Sequence, residues 1–174
     1  ILPATIDLAG AEVELASVIS RETRLRRSLG TLDEYDVAVV DCPPSLGMLT
    51  INALVASDRL IIPIQCEYYA LEGVGQLART VRLVKDSLNA DLTIDGVLLT
   101  MFDSRTRLSG EVAEEVRRQF GEKAFSAVIP RNVKLSEAPS HGAPICYYDP
   151  ASSGAQAYSD LAKEVSGLWL KREP

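Results

Sequence analysis

Residues 35 to 50 read Tyr-Asp-Val-Ala-Val-Val-Asp-Cys-Pro-Pro-Ser-Leu-Gly-Met-Leu-Thr, and this stretch restricts the fold more tightly than any other. Val37 to Val40 are apolar without alternation, the pattern of a strand buried on both faces of a parallel sheet. Asp41 closes the run. Pro43 and Pro44 then push Cys42 and Pro43 away from helical backbone, so the chain must turn. Ser45 or Gly47 can open a new helix through Leu49, Ile51 and Leu54. An acid at the carboxyl end of a buried strand, just ahead of a helix, lies where open α/β sheets bind ligands. The other reading of Asp41 is a helix cap or an acid paired with a nearby base. A charge that closes an apolar strand is costly unless used, which favours the ligand reading.

The rest of the chain alternates helix and strand around that segment. Residues 8–29 are expected to form one helix, with Asp7 as N-cap, an apolar stripe at Ala11, Leu15, Val18, Ile19 and Leu29, and Gly30 as the stop. Arg21, Arg24, Arg26 and Arg27 fall on its solvated face. Leu60 to Ile64 read as a second buried strand with Pro63 near its end, leaving through Gln65-Cys66-Glu67-Tyr68-Tyr69. Ala70, Leu71, Val74, Leu77, Val81, Val84 and Leu88 recur at helical spacing. Val97 to Met101 make a third strand, followed by a polar, basic exit loop, 102–107. Ser109 is the expected cap of a helix carrying Val112, Val116 and Phe120 and ended by Gly121. A fourth strand, 125–129, runs into a loop with one helical turn. A last helix, 153–169, carries Ala155, Tyr158, Leu161, Ala162, Val165 and Trp169. This alternation predicts an α/β fold, a doubly wound, mostly parallel sheet with right-handed crossovers. Its strand exits share one rim, so Asp41, Gln65, Arg105 and Arg131 are expected to converge there.

Composition excludes some classes. A chain of 174 residues with 24% charged and 47% hydrophobic residues is one soluble domain with a real core. No apolar run reaches the length of a membrane span, and no secretory signal is visible. Cys42, Cys66 and Cys146 are far apart and form no C-x-x-C pair, which fits reduced thiols in a cytoplasm. A net charge of −6 argues against a protein that coats nucleic acid with its whole surface. The charge is uneven, though. Residues 103–134 hold seven Lys or Arg against five Asp or Glu, while the first fifty hold four against eight, so a local basic face is available. The single histidine, His141, has no nucleophile motif around it. Tyr147 and Tyr148 are expected to pack beside the rim. The opening Ile-Leu-Pro, without an initiator methionine, reads as part of something longer.

Tyr35 through Ser45 resembles the Walker B and switch II segment of the ParA/Soj/MinD family of deviant Walker ATPases. Ile62 to Gly73 is similar to the next strand and helix of its chromosomal ParA (Soj) branch. So are Gly96 to Arg107, Tyr148-Asp149-Pro150 and, most specifically, Pro130-Arg131-Asn132-Val133-Lys134-Leu135-Ser136-Glu137-Ala138-Pro139-Ser140-His141-Gly142. The likeness runs along nearly the whole chain from Leu8. It implies a single P-loop NTPase-like α/β domain over 1–174, the carboxyl-terminal two-thirds of a ParA-type ATPase domain. It further implies a cytoplasmic, nucleoid-associated ATPase for chromosome or plasmid segregation. Such a protein dimerises on ATP, binds DNA without sequence preference, and is stimulated by a ParB-type centromere-binding partner. By matching positions, Asp41 is the catalytic acid serving Mg²⁺, and Pro43 and Pro44 lie in the switch reporting the γ-phosphate. Pro130, Arg131 and Asn132 border adenine and ribose, and Arg105 and Lys134 face DNA.

One departure counts against these agreements. No glycine-rich, lysine-bearing phosphate loop occurs anywhere in the 174 residues, and the first switch with its catalytic aspartate is also missing. Backbone N–H groups and loop lysines supply most of a phosphate cradle, so this chain alone is expected to bind ATP poorly. The strand that carries that loop would sit beside the Asp41 strand, and without it an apolar face is expected to lie open. Two other readings follow. One is a non-enzymatic dimerisation or DNA-binding module. The other is a MinD-like membrane-cycling ATPase anchored by Leu161, Val165, Leu168 and Trp169 with Lys171 and Arg172, although no stable membrane association is expected from two basic residues. An iron–sulfur reductase of the same superfamily is weaker still, because only Cys42 sits near a cluster position.

Overall fold

The computed structural model describes residues 1–31, 34–67 and 70–170. Tyr68 and Tyr69 of the expected exit loop, and Lys171 and Arg172, lie outside the described residues, as do the side chains of Ala70, Leu71 and Val74. Two compact units are present, one from residues 1–60 and 76–93, the other from 61–75 and from 94 onward.

The first unit is helical. Helices α1 (Asp7–Leu15), α2 (Arg24–Leu29) and α3 (Met48–Ala56) carry it, joined by the later turns of α4 (Ala70–Ser87). The single helix expected over 8–29 is broken. Ser17, Val18, Ile19 and Ser20 are poor helix formers, and Ser20 turns left-handed (φ 54°) before a 3₁₀ turn at Arg21–Thr23. Asp7 is not the N-cap. It is the first helical residue, and its carboxylate accepts the Thr5 hydroxyl at 3.2 Å instead of a helix N–H. Gly30 does end α2.

Two amides organise this unit. Asn52 is only 4% exposed. Its Nδ2 donates to the carbonyls of Arg21 (2.9 Å) and Met48 (3.0 Å), and its Oδ1 accepts from the Leu25 N–H (3.2 Å), so α3 seats the start of α2. Asn89 Nδ2 donates to the carbonyls of Leu54, Val55 and Ser57 and satisfies the end of α3. At the other end Gly47 is the N-cap, as expected for one of two candidates. A Cβ there would fall 2.0 Å from Glu12 Oε1, so glycine lets that carboxylate approach the helix start, where it complements the dipole.

The second unit holds the sheet. Strands β1 (Arg59–Gln65), β2 (Thr93–Phe102) and β3 (Ala124–Pro130) lie in that order, with β2 and β3 parallel. Around them run α5 (Arg107–Phe120), α6 (Val133–Glu137), α7 (Ile145–Tyr148) and α8 (Ser153–Leu170). Leu98, Phe125 and Ile129 form a core with Ile61, Leu135, Ala157, Leu161 and Val165, which docks α8 on the sheet. Val97 and Leu99, on the other face by strand alternation, are also fully buried. Register is irregular between the pairs Val97–Ala124 and Leu99–Val128, leaving a bulge on β3. Glu164 of α8 accepts the N–H groups of Ser126 (2.9 Å) and Ala127 (2.7 Å) at that bulge. The expected stripe on α8 is rotated slightly: Ala157 packs inward, while Tyr158 and Ala162 face outward.

The valine strand is the main correction. Residues 37–43 form no strand and have no ladder partner among the described residues, and Val39 is 86% exposed. Strand propensity supplies an extended backbone, but a strand exists only once a neighbour completes its hydrogen bonds. Ser109 is a second correction. Thr106 caps α5, accepting the Ser109 N–H at 3.4 Å, while buried Ser109 donates its hydroxyl to the Cys66 carbonyl at 3.3 Å.

Candidate functional site: a rim of paired cations and a separate exposed acid

In the second unit, the exits of β1, β2 and β3 are tied to one another at the carboxyl ends of the strands. The Arg131 N–H donates to the Phe102 carbonyl at 2.8 Å, which sets the segment after β3 beside the end of β2. The Arg131 guanidinium reaches Glu67, beyond β1, at 2.6 Å. Ser109 ties the β2 exit to Cys66. The predicted convergence therefore holds for these three exits.

Each predicted cation on the rim has a carboxylate partner. Arg105, 84% exposed, grips Asp103 with both Nε (2.9 Å) and Nη2 (2.7 Å). These bonds, and the Arg105 N–H beside them, hold the Asp103 carboxyl well below the usual range. Arg107 pairs with Glu111 one turn along α5. Lys134 Nζ lies 2.8 Å from Glu137 Oε2, which also accepts the Tyr148 hydroxyl at 2.9 Å. The Lys134 bond is the larger influence lowering the Glu137 pKa, and Glu137 in turn raises that of Lys134. His141 stacks on Tyr148 at 4.9 Å, and Lys134 sits 5.8 Å from the same ring centroid. Tyr147, expected to pack beside the rim, is instead exposed.

Asn132 opens α6. Its Oδ1 accepts the Lys134 N–H (2.7 Å) and caps α6, while its Nδ2 donates to Ser153 Oγ (2.8 Å) and ties the Pro130-Arg131-Asn132 turn to the start of α8. Sequence reading missed the Glu67 and Tyr148 links. The Lys134–Glu137 spacing of three was the one local sign of this cluster.

Asp41, Pro43 and Pro44 belong to the first unit and are exposed. Asp41 has no hydrogen bond or ion pair among the described residues. A lone accessible carboxylate fits magnesium, which keeps several waters and needs only one or two carboxylates from the protein. Among the described residues no group of three His, Cys, Asp or Glu side chains is placed to hold a metal.

A chain that alternates helix and strand, with parallel strands whose exits meet at one rim, is of the α/β class. Comparison with known proteins narrows the class. A family model described as an AAA domain matches residues 1–94, more than half of the chain. Over 167 residues the chain is 63% identical to the sporulation initiation inhibitor protein Soj of Bacillus subtilis (strain 168), covering 95% of this chain and 66% of that protein. It is 55% identical over 166 residues to the chromosome partitioning protein ParA of Myxococcus xanthus (strain DK1622), covering 95% and 59%. The chain belongs to that AAA-domain family and groups with the Soj and ParA proteins. It spans 59–66% of the length of these two relatives. A solved Mycobacterium smegmatis structure, described as cobyrinic acid a,c-diamide synthase with bound ATP analogue and magnesium, matches at TM-score 0.81 and 39% identity, covering 99% of this chain and 64% of that one.

Proposed function

We propose that the protein carrying this chain hydrolyses Mg-ATP to segregate DNA. In this reading it dimerises on ATP, holds duplex DNA through its phosphates without sequence preference, and is released by a ParB-type centromere-binding partner, acting on the nucleoid in the cytoplasm. The 63% identity to Soj is the observation that carries the reading. It outweighs the amide-forming activity attached to a structure at 39% identity.

When bound, Mg-ATP supplies the γ-phosphoryl group that passes to water. Asp41 would hold the magnesium directly or through water. Pro43 and Pro44 stiffen the turn beyond it, which suits a segment that reports the γ-phosphate to α3. Pro130, Arg131 and Asn132 would border adenine and ribose, with the turn held by the bonds from Asn132 to Lys134 and Ser153. Arg105 and Lys134 would face DNA, exchanging Asp103 and Glu137 for phosphate. No phosphate-cradling loop occurs in these residues, so this chain alone is proposed to be defective in ATP binding.

A membrane anchor on α8 finds little support. Leu161 and Val165 are used against the sheet, and the Trp169 indole N–H donates to Asp95 at 2.8 Å. Among the described residues no helix is long and apolar enough to cross a membrane. The reading is tested by filter retention of a random-sequence duplex with the intact protein, with and without Mg-ATP. Retention that requires the nucleotide is the expected result. Retention indifferent to nucleotide would favour a non-enzymatic binding module.

A further inference from the structure

The arginines of α2 stand apart from every cation on the rim. Residues 21–30 hold four arginines against one glutamate, in a chain of net charge −6. Arg21 is paired with Glu22 at 3.1 Å. Arg24, Arg26 and Arg27 are exposed and have no carboxylate partner among the described residues. They are also presented on a seated helix. Leu25 and Leu29, four apart, are half-buried where α2 meets α3, and the Asn52 side chain bonds to the backbone of both Arg21 and Leu25. With Leu25 and Leu29 turned toward α3, Arg24 and Arg27 lie side by side at a spacing of three and Arg26 stands next to them around the helix.

An arginine cluster on a packed helix, with no carboxylate partner among the described residues, complements a surface of regularly spaced fixed negative charge. We infer that Arg24, Arg26 and Arg27 form a second DNA-phosphate contact surface, separate from Arg105 and Lys134. This rests on the DNA-binding reading above and extends it to the first unit. Double-stranded DNA is preferred over an acidic protein because contacts to its evenly spaced phosphates need no shaped pocket, and none is needed on an exposed helix face. Arg105 and Lys134 must give up Asp103 and Glu137 to reach phosphate, whereas no described carboxylate holds these three.

The test is fluorescence anisotropy of a random-sequence duplex with the intact protein and Mg-ATP, across a salt series. It compares wild type, Lys134→Ala, and the combined variant Arg24→Gln, Arg26→Gln, Arg27→Gln. Each lost phosphate contact lowers the slope of log affinity against log salt by about 0.9, so the triple variant should lose roughly 2.7. Between about 50 and 200 mM salt, the wild type should then weaken roughly 40-fold more than the variant. Lys134→Ala should lose about one contact's worth. Because all three arginines are exposed, an unchanged circular dichroism spectrum should accompany the effect. A wild-type slope retained by the triple variant but reduced in Lys134→Ala would overturn the inference while leaving the DNA reading intact, and would point the α2 face toward an acidic protein. No wild-type binding at all would overturn both.

Discussion

Arg131 and Asp41 are both proposed to serve the same nucleotide, yet the chain treats them in opposite ways. Arg131 is locked from two sides, by its N–H on Phe102 and its guanidinium on Glu67, and the turn that carries it is fixed through Asn132. Asp41 sits in an exposed segment outside helix and strand, with no partner among the described residues. The rim is therefore organised by bonds internal to its own unit, before any ligand arrives. The acid keeps its full capacity to take a cation because nothing described neutralises it. Pre-organised recognition and an uncommitted charge are different investments, and the same division separates the paired cations of the rim from the arginines of α2, which have no carboxylate partner among the described residues.

The largest consequence of that contrast concerns stability. Phe125 lies in the core near the start of β3, at the end of the sheet away from the rim, and its ring fills the space a Cβ on Gly96 would need, so Phe125→Ala should destabilise the protein by about 3–5 kcal/mol in urea unfolding. A cost below about 1 kcal/mol would mean that the ring is not packed as described. Arg131→Ala removes a half-exposed ion pair, and its stability cost should be about 0.2–1 kcal/mol in the same measurement. A much larger loss would show that the pair holds the three strand exits together. Val39→Ser, in the exposed segment before Asp41, should stay within about 0.5 kcal/mol. A core-sized effect there would show that the valine run is buried in the working protein.

The smallest expected effect is a pH dependence of the Lys134 cluster. Glu137 has a lowered folded-state pKa, first through Lys134 and then through Tyr148. Its pairing is thus fully present above the ordinary glutamate range and is lost as pH falls through the lowered folded value. The Tyr148 ring signals in NMR should hold steady through neutral pH and move only in acid. Movement near neutrality would contradict the pairing of Glu137 with Lys134 and Tyr148 as the cause.

What could be read from sequence follows from where each partner lies. β1, β2 and β3 were legible because their apolar runs and their partner strands are all in the chain. The run at Val37–Val40 has the pattern of a buried strand, but pairing is a property of a neighbour that local pattern does not reveal. The break at Ser17–Ser20 is visible in composition, and the apolar stripe that crosses it masks it. Thr106 and Ser109 are both cap-forming residues three apart, and only the fold decides which one is turned inward. Lys134–Glu137 is a local spacing. Arg131–Glu67 joins residues 64 apart and leaves no local trace.

The central claim, that the carboxylate after the valine run serves magnesium, is tested most directly by steady-state ATP hydrolysis of the intact protein and its Asp41→Ala variant across a magnesium titration. The expected result is a loss of turnover of roughly a hundredfold or more, with the magnesium dependence flattened and the fold retained. Turnover and magnesium dependence equal to wild type would contradict it and give Asp41 another role.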